Sequence, residues 1–287
     1  MERVIRTRPP YAGYPFDSGL RQNSQMELLA CLLTGGVAGL MAGLLGIGGG
    51  LVIVPALAML LARQGVPAAH VMHVAVGTSL ASIVPTAVSS LLAHDRRGGV
   101  DWPVVRALLP GILAGGLGGA WLAGRVSSPG LALIFGVFEL LVAAQLWLGL
   151  QPDAHRALPA TAGMTLAGGV IGSLSALLGI GGGTLTTPFL LWHGIDIRRA
   201  VGTSASAGLP IALAGASGFA WSGWGVPLAL GWTTGFIYWP AVAALLLASV
   251  PMAPLGARLA HTLPRSWLQR GFALFLLLVG VKMVWPG

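Results

Sequence analysis

The chain has 287 residues, of which 55% are hydrophobic and 8% charged, with a mean hydropathy of +0.82 and a formal net charge of +8. Ordinary soluble domains carry about 25% charged residues, so eight acids and sixteen bases cannot solvate a folded surface of this size. A soluble globular enzyme, a disordered tail and a disulfide-rich secreted module are excluded, and a polytopic membrane protein remains.

Residues 1–25 are polar and contain proline; with no apolar core they read as an arm, not a signal peptide. Apolar segments then follow at 27–46, 51–63, 71–93, 103–124 and 130–149, and again at 159–179, 184–193, 199–221, 226–250 and 267–285. A spanning helix needs about 20 apolar residues, so 51–63 and 184–193 are too short to cross. The short alternating strands of a transmembrane β-barrel are missing. The expected fold is therefore an all-α membrane protein, a polytopic helical bundle. The bases are scattered through short loops, which suits interfacial anchors and not a nucleic-acid surface. Their distribution favours neither orientation in the membrane. Lys282 is the only lysine and Cys31 the only cysteine, so no disulfide or cysteine metal site can form within the chain.

The chain repeats itself. GLLGIGGGLVIVP at 43–55 returns as ALLGIGGGTLTTP at 176–188, an offset of 133. AVGTS at 75–79 returns at 200–204, an offset of 125. Two ordered, matching blocks define a duplication, with halves of about 26–150 and 157–287. Five segments per half is an odd number, which predicts inverted repeats with a site between them near the midplane.

Each short segment is preceded by G-I-G-G-G. Glycine in a helix interior costs about 1 kcal/mol relative to alanine, so three in a row predict a break: helix, unwound stretch, half-helix. Broken helices at membrane depth are tolerated only against protein or a watery cavity. A half-helix starting near Leu51 or Thr184 offers free N–H groups and the positive end of its dipole to an anion. Pro55 and Pro188 fall near the first turn, where a missing N–H costs little. Thr184, Thr186 and Thr187 add hydroxyls in the second half, where the first has Leu51, Ile53 and Val54. No lysine follows Gly50 or Gly183, so neither block is a nucleotide-binding P-loop. Single glycines such as those of Gly39-xxx-Gly43 and Gly115-xxx-Gly119 are packing positions first. Thr78, Ser79, Thr203 and Ser204 either donate to an anion or bond back to their own helices.

The paired glycine blocks, each followed by AVGTS, resemble the TauE/SafE family of membrane anion exporters over roughly residues 27–285. The resemblance implies export of sulfite or of organosulfonates such as sulfoacetate. It also implies a central site lined by Gly48, Gly49, Gly50, Thr78 and Ser79 with Gly181, Gly182, Gly183, Thr203 and Ser204. Thr184, at the start of the second half-helix, joins this set on its position.

Glu139 stands midway along 130–149, and an intramembrane carboxylate suggests proton coupling. His70 and His73 share a helix face, without a third metal ligand nearby in the sequence. Arg125 and Arg258, at matching places, either steer anions or cap helix ends. Trp102, Trp221, Trp224, Trp239 and Arg106 suit the membrane interface. Gly215-Ala216-Ser217-Gly218 matches the G-x-S-G string of rhomboid-type intramembrane proteases, but the only later histidine is His261 in a polar loop. The expectation is thus a multi-pass protein of the cell (inner) membrane, a secondary exporter and not an enzyme, without cofactor. Its partners would be a small anion and the lipid bilayer, with no nucleic acid and with a homo-oligomer allowed. A passive anion channel is the alternative.

Overall fold

The computed structural model describes residues 18–45, 48–149, 157–228, 230–259 and 265–285. The arm up to residue 17, Arg156 and His261 lie outside the described residues. Among the described residues ten helices follow in order: α1 (Ser18–Leu45), α2 (Gly50–Arg63), α3 (Val71–Asp95), α4 (Trp102–Ala123), α5 (Ser128–Leu148), α6 (Thr161–Leu178), α7 (Gly183–Trp192), α8 (Ile197–Ser222), α9 (Trp239–Leu259) and α10 (Arg265–Val284). Seven of them are long and apolar enough to cross a membrane: α1, α3, α4, α5, α6, α9 and α10. The protein is a multi-pass integral membrane protein.

Local signals set the helix starts. Asp101 accepts from Val104 N at 3.3 Å to cap α4, with Pro103 in its first turn. Ser127 accepts from Gly130 N at 3.2 Å to cap α5, with Pro129 alongside. Asp196 accepts from Arg198 N at 3.0 Å to cap α8. These caps satisfy N–H groups that a helix leaves unpaired, and proline there is preorganised for the first turn.

The helix contacts carry the duplication. Exchanging α1 with α6, α2 with α7, α3 with α8, α4 with α9 and α5 with α10 turns the α1–α9 pair into the α6–α4 pair. The α3–α8 and α5–α10 pairs map onto themselves. The bundle is therefore pseudo-symmetric, with α3 and α8 at its centre. In its spanning window α3 is 78% buried by the protein itself, whereas α1 and α10 are each 22% buried and form the lipid-facing rim.

Small residues permit the two equivalent crossings. Gly115 and Gly119 of α4 lie against the backbone of Gly169 and Ser173 on α6, and Gly35 and Gly39 of α1 lie against Leu245 and Ser249 on α9. A side chain at any of these positions would strike a backbone carbonyl. In a membrane, where lipid tails are as apolar as leucine, such close approach is a main source of association energy.

Two boundaries differ from the apolar pattern. Helix α1 already runs from Ser18, so part of the expected arm is helical. The expected helix over 226–250 begins only at Trp239. Before it, Gly225 (φ +79°), Trp232 (φ 54°) and Gly235 (φ +55°) hold left-handed turns, and Thr233–Thr234 pairs with Ile237–Tyr238 in a two-residue antiparallel hairpin. Phe236 and Ile237 are buried against protein, so apolar content there reflects packing and not lipid.

Candidate functional site

Both glycine blocks break their helices. Helix α1 ends at Leu45 and α2 starts at Gly50, with Gly48 between them at φ +88°. Helix α6 ends at Leu178 and α7 starts at Gly183, with Gly179 left-handed at φ +66°. Only glycine holds such a φ without steric penalty, and Gly179 closes α6 as left-handed glycines commonly do: its N–H donates to Ala176 O at 3.3 Å and that of Ile180 to Ser175 O at 3.0 Å. No side chain caps α2 at Gly49 or α7 at Gly182. The first turns of both half-helices therefore present backbone N–H groups with the positive end of a helix dipole.

The two breaks meet. A Cβ on Gly50 would stand 2.5 Å from Gly179 O and 2.9 Å from Ile180 Cα, so the start of α2 is seated on the turn that ends α6. Ser79 joins them, its hydroxyl donating to Gly179 O at 2.8 Å. On the other side, Gly182 lies where a Cβ would be 2.6 Å from Ser204 O and 2.9 Å from Gly208 N. Ser204 accepts from Thr187 at 2.8 Å and donates to Val201 O at 2.9 Å. Gly50, Gly181 and Gly182 are buried, while Gly48, Gly49, Gly183 and Thr184 are half-buried. A Cβ on Gly48 would meet nothing within 4 Å, which marks open space beside the first break.

The threonines of AVGTS face a different way. Thr78 is fully buried and its Oγ1 accepts from Tyr238 N at 3.0 Å; Thr203 is fully buried and its Oγ1 accepts from Asp101 N at 2.9 Å. Tyr238 immediately precedes α9 and Asp101 immediately precedes α4. The adjoining glycines complete the pattern: Gly77 is packed against Phe236 O and Gly202 against Gly99 O, each two residues before the bonded N–H. Each half thus clasps the loop that leads into the fourth helix of the other half. Thr78 and Thr203 are brought to equivalent places, but onto these loops.

Glu139 is fully buried in α5 with neither carboxylate oxygen partnered. Ser217 is exposed on α8. Its neighbours Gly215 and Gly218 are contact points for Leu80 of α3 and Ala120 of α4, so the G-A-S-G string serves helix packing. Arg125 lies at the end of α4 with its guanidinium 3.4 Å over the Trp121 ring. Trp221, Trp224, Trp239 and Trp102 are exposed at helix ends. No group of three or more His, Cys, Asp or Glu that could hold a metal occurs among the described residues. Gly179 and Ile180 were not singled out from the sequence, although a glycine just past a helix end is a recognisable stop signal.

A membrane-embedded bundle of pseudo-symmetric halves, with two uncapped half-helices and the start of one seated on the glycine break of the other half, is the architecture of a transporter. The family model described as "Sulfite exporter TauE/SafE" matches residues 31–283, and the chain belongs to that family. It is 40% identical over 257 residues to a probable membrane transporter protein of Haemophilus influenzae, covering 89% of this chain and 97% of that one. It is also 30% identical over 186 residues to the probable membrane transporter protein YunE of Bacillus subtilis, covering 58% and 68% of the two chains. No solved structure matches. The protein is a non-catalytic membrane transporter.

Proposed function

We propose that the protein exports a small sulfur-containing anion, sulfite or an organosulfonate such as sulfoacetate, from a site where the two glycine breaks meet. The observation that carries this reading is the seating of the uncapped α2 start on the Gly179–Ile180 turn. Backbone N–H groups from Gly48, Gly49 and Gly50 on one side, and from Gly181, Gly182 and Gly183 on the other, would hold the anion. Ser79 and Ser204, whose hydroxyl protons go to Gly179 O and Val201 O, would brace the two breaks, with Thr78 and Thr203 fixing the opposite half from behind. The halves, residues 26–150 and 157–287, are proposed as inverted repeats that rock about this site. A membrane potential is worth about 2.3 kcal/mol per charge per 100 mV. With the cell interior negative, an anion is driven outward by the potential even before any proton coupling is added.

The test is efflux of labelled sulfite, sulfoacetate, thiosulfate and sulfate from proteoliposomes, with voltage clamped at two values. Gly49 is a suitable position to alter, because a Cβ there meets Ala38 Cβ and Ile53 Cδ1 at 3.3 Å and no backbone atom nearer than Ala38 O at 3.6 Å. Gly49→Val should abolish saturable efflux while the protein still inserts and folds; normal efflux would place the site elsewhere. Flux that never saturates would favour the passive channel.

Glu139 is proposed to couple protons. A buried carboxyl with no fixed partner can gain or lose a proton without breaking a hydrogen bond. Glu139→Gln should flatten the pH dependence of transport, and an unchanged pH profile would remove the assignment.

A further inference from the structure

A cavity of about 360 Å³ lies away from the glycine breaks, between the start of α3, the α4–α5 connection and the end of α8. His70, His73, Arg125, Ser127, Ser222 and Phe236 are among its ten lining residues, none of which is a carboxylate. We propose that this cavity binds a small tetrahedral or pyramidal oxyanion together with one proton, which is held on Nδ1 of the histidine pair.

The chemistry follows from His73. It is 4% exposed, and its Nε2 stands 3.1 Å from both Ala123 O and Val126 O. Two carbonyl acceptors require an N–H at that atom. In the neutral ring Nδ1 therefore carries the lone pair, and it is buried without a hydrogen bond, although the Ala69 carbonyl stands close to the ring. His70 Nδ1 is likewise buried and unpartnered. An unmet buried polar group costs about 1–3 kcal/mol, so two of them beside one cavity point to a ligand that meets them. The rings are held in place: both pack on Phe236, with centroids 5.5 and 5.1 Å away, and they stand edge to face 6.0 Å apart.

A bare lone pair repels an anion's oxygen, and a protonated Nδ1 donates to it. Binding a dianion here therefore takes up one proton, while a monoprotonated anion brings its own and donates its O–H to Nδ1. The proton count is the same by either route. The titratable and charged groups facing the pair are each other and Arg125; Ser127 contributes a hydroxyl from α5's cap, Ser222 one from α8, and the hairpin only Phe236. Arg125 spends one N–H on Trp121 O at 3.4 Å, and its planar fork matches oxyanion geometry. The carbonyls that receive His73 Nε2–H are those of Ala123, the last residue of α4, and of Val126 in the α4–α5 connection.

Six residues separate His73 from Ser79 on α3, or roughly 9 Å of helix, a distance that would let the cavity serve the breaks as a vestibule. The link to transport rests on the proposed function; the binding does not. The source of the oxyanion is either the surrounding water or a lipid headgroup phosphate.

The test uses the full chain in dodecyl maltoside, titrated calorimetrically with sulfate in two buffers of different ionisation enthalpy. Sulfate carries no proton near neutral pH, so uptake reports the protein. About one proton per sulfate is expected, with affinity falling roughly tenfold or more in Arg125→Gln. His73→Gln keeps a side-chain N–H for the Ala123 and Val126 carbonyls, and it should retain the fold while losing the proton uptake. Adding short-chain phosphatidylglycerol separates the sources: competition with sulfate assigns a lipid phosphate, and its absence a dissolved anion; both support the oxyanion chemistry. Gly49→Val should leave this uptake intact, so failure of the central site and failure of the vestibule are distinguishable. Sulfate binding that ignores Arg125→Gln, proton uptake that survives His73→Gln, or Zn²⁺ held by the histidines in place of sulfate would overturn the proposal.

Discussion

Helices α3 and α8 are copies of one another, and they have diverged unevenly. In the middle they do the same work: Thr78 receives Tyr238 N at 3.0 Å and Thr203 receives Asp101 N at 2.9 Å, each from the opposite half. One turn earlier they differ. His73 is buried at the vestibule, and the residue at the same offset of 125 is the exposed Arg198. What duplication has preserved is the bond to the other half, because a main-chain N–H is identical in both copies whatever the local sequence. What has changed is a position whose bonds stay within its own half, where His73 reaches Ala123 O and Val126 O, so a side chain there can be exchanged without unsettling the other half.

The largest expected effect tests whether the two breaks meet. Gly50→Ala would bring a Cβ to 2.5 Å from Gly179 O and 2.9 Å from Ile180 Cα, both backbone atoms that cannot swing aside. Overpacking of this kind costs about 1–3 kcal/mol or more, and thermal unfolding in detergent should fall accordingly. Gly48→Asn is its control. Gly48 holds φ +88° in open space, and asparagine tolerates the left-handed region at about 1 kcal/mol. Equal stability of Gly50→Ala and wild type would dissolve the contact between the halves.

Next in size are the clasps. Thr78→Val and Thr203→Val preserve shape and remove the acceptor of a backbone N–H, a loss of about 1–3 kcal/mol each. If the clasps are equivalent, the two losses should agree within about 0.5 kcal/mol and add in the double variant. A neutral Thr203→Val beside a damaging Thr78→Val would mean that only one half holds the other.

The same residues mark where sequence reasoning succeeds and stops. The breaks at Gly48–Gly50 and Gly179–Gly183 were legible, because consecutive glycines interrupt a helix by a local energy that needs no partner. The start of α9 was not. Hydropathy cannot tell apolar residues buried in protein, such as Phe236 and Ile237, from those facing lipid. Nor could the duty of Thr78 be read. Its partner lies 160 residues away, and that of Thr203 102 residues away. In both cases the partner is a main-chain group, which leaves no signature in residue type.

The smallest effect separates bonds between halves from bonds within one. Ser79 ties α3 to the Gly179 carbonyl of the other half at 2.8 Å, whereas Thr187 ties α7 to Ser204 of its own half at 2.8 Å. Removing the fully buried Ser79 hydroxyl leaves a carbonyl short of a donor, a loss of about 1 kcal/mol. Ser204 still donates to Val201 O when Thr187 is changed, and half-buried Thr187 is the donor that disappears, so Thr187→Val should cost only about 0.5 kcal/mol. Thermal unfolding of Ser79→Ala and Thr187→Val, read by tryptophan fluorescence, makes the comparison. The reverse order would show that the second break is held by its own half-helix, with the first half merely resting against it.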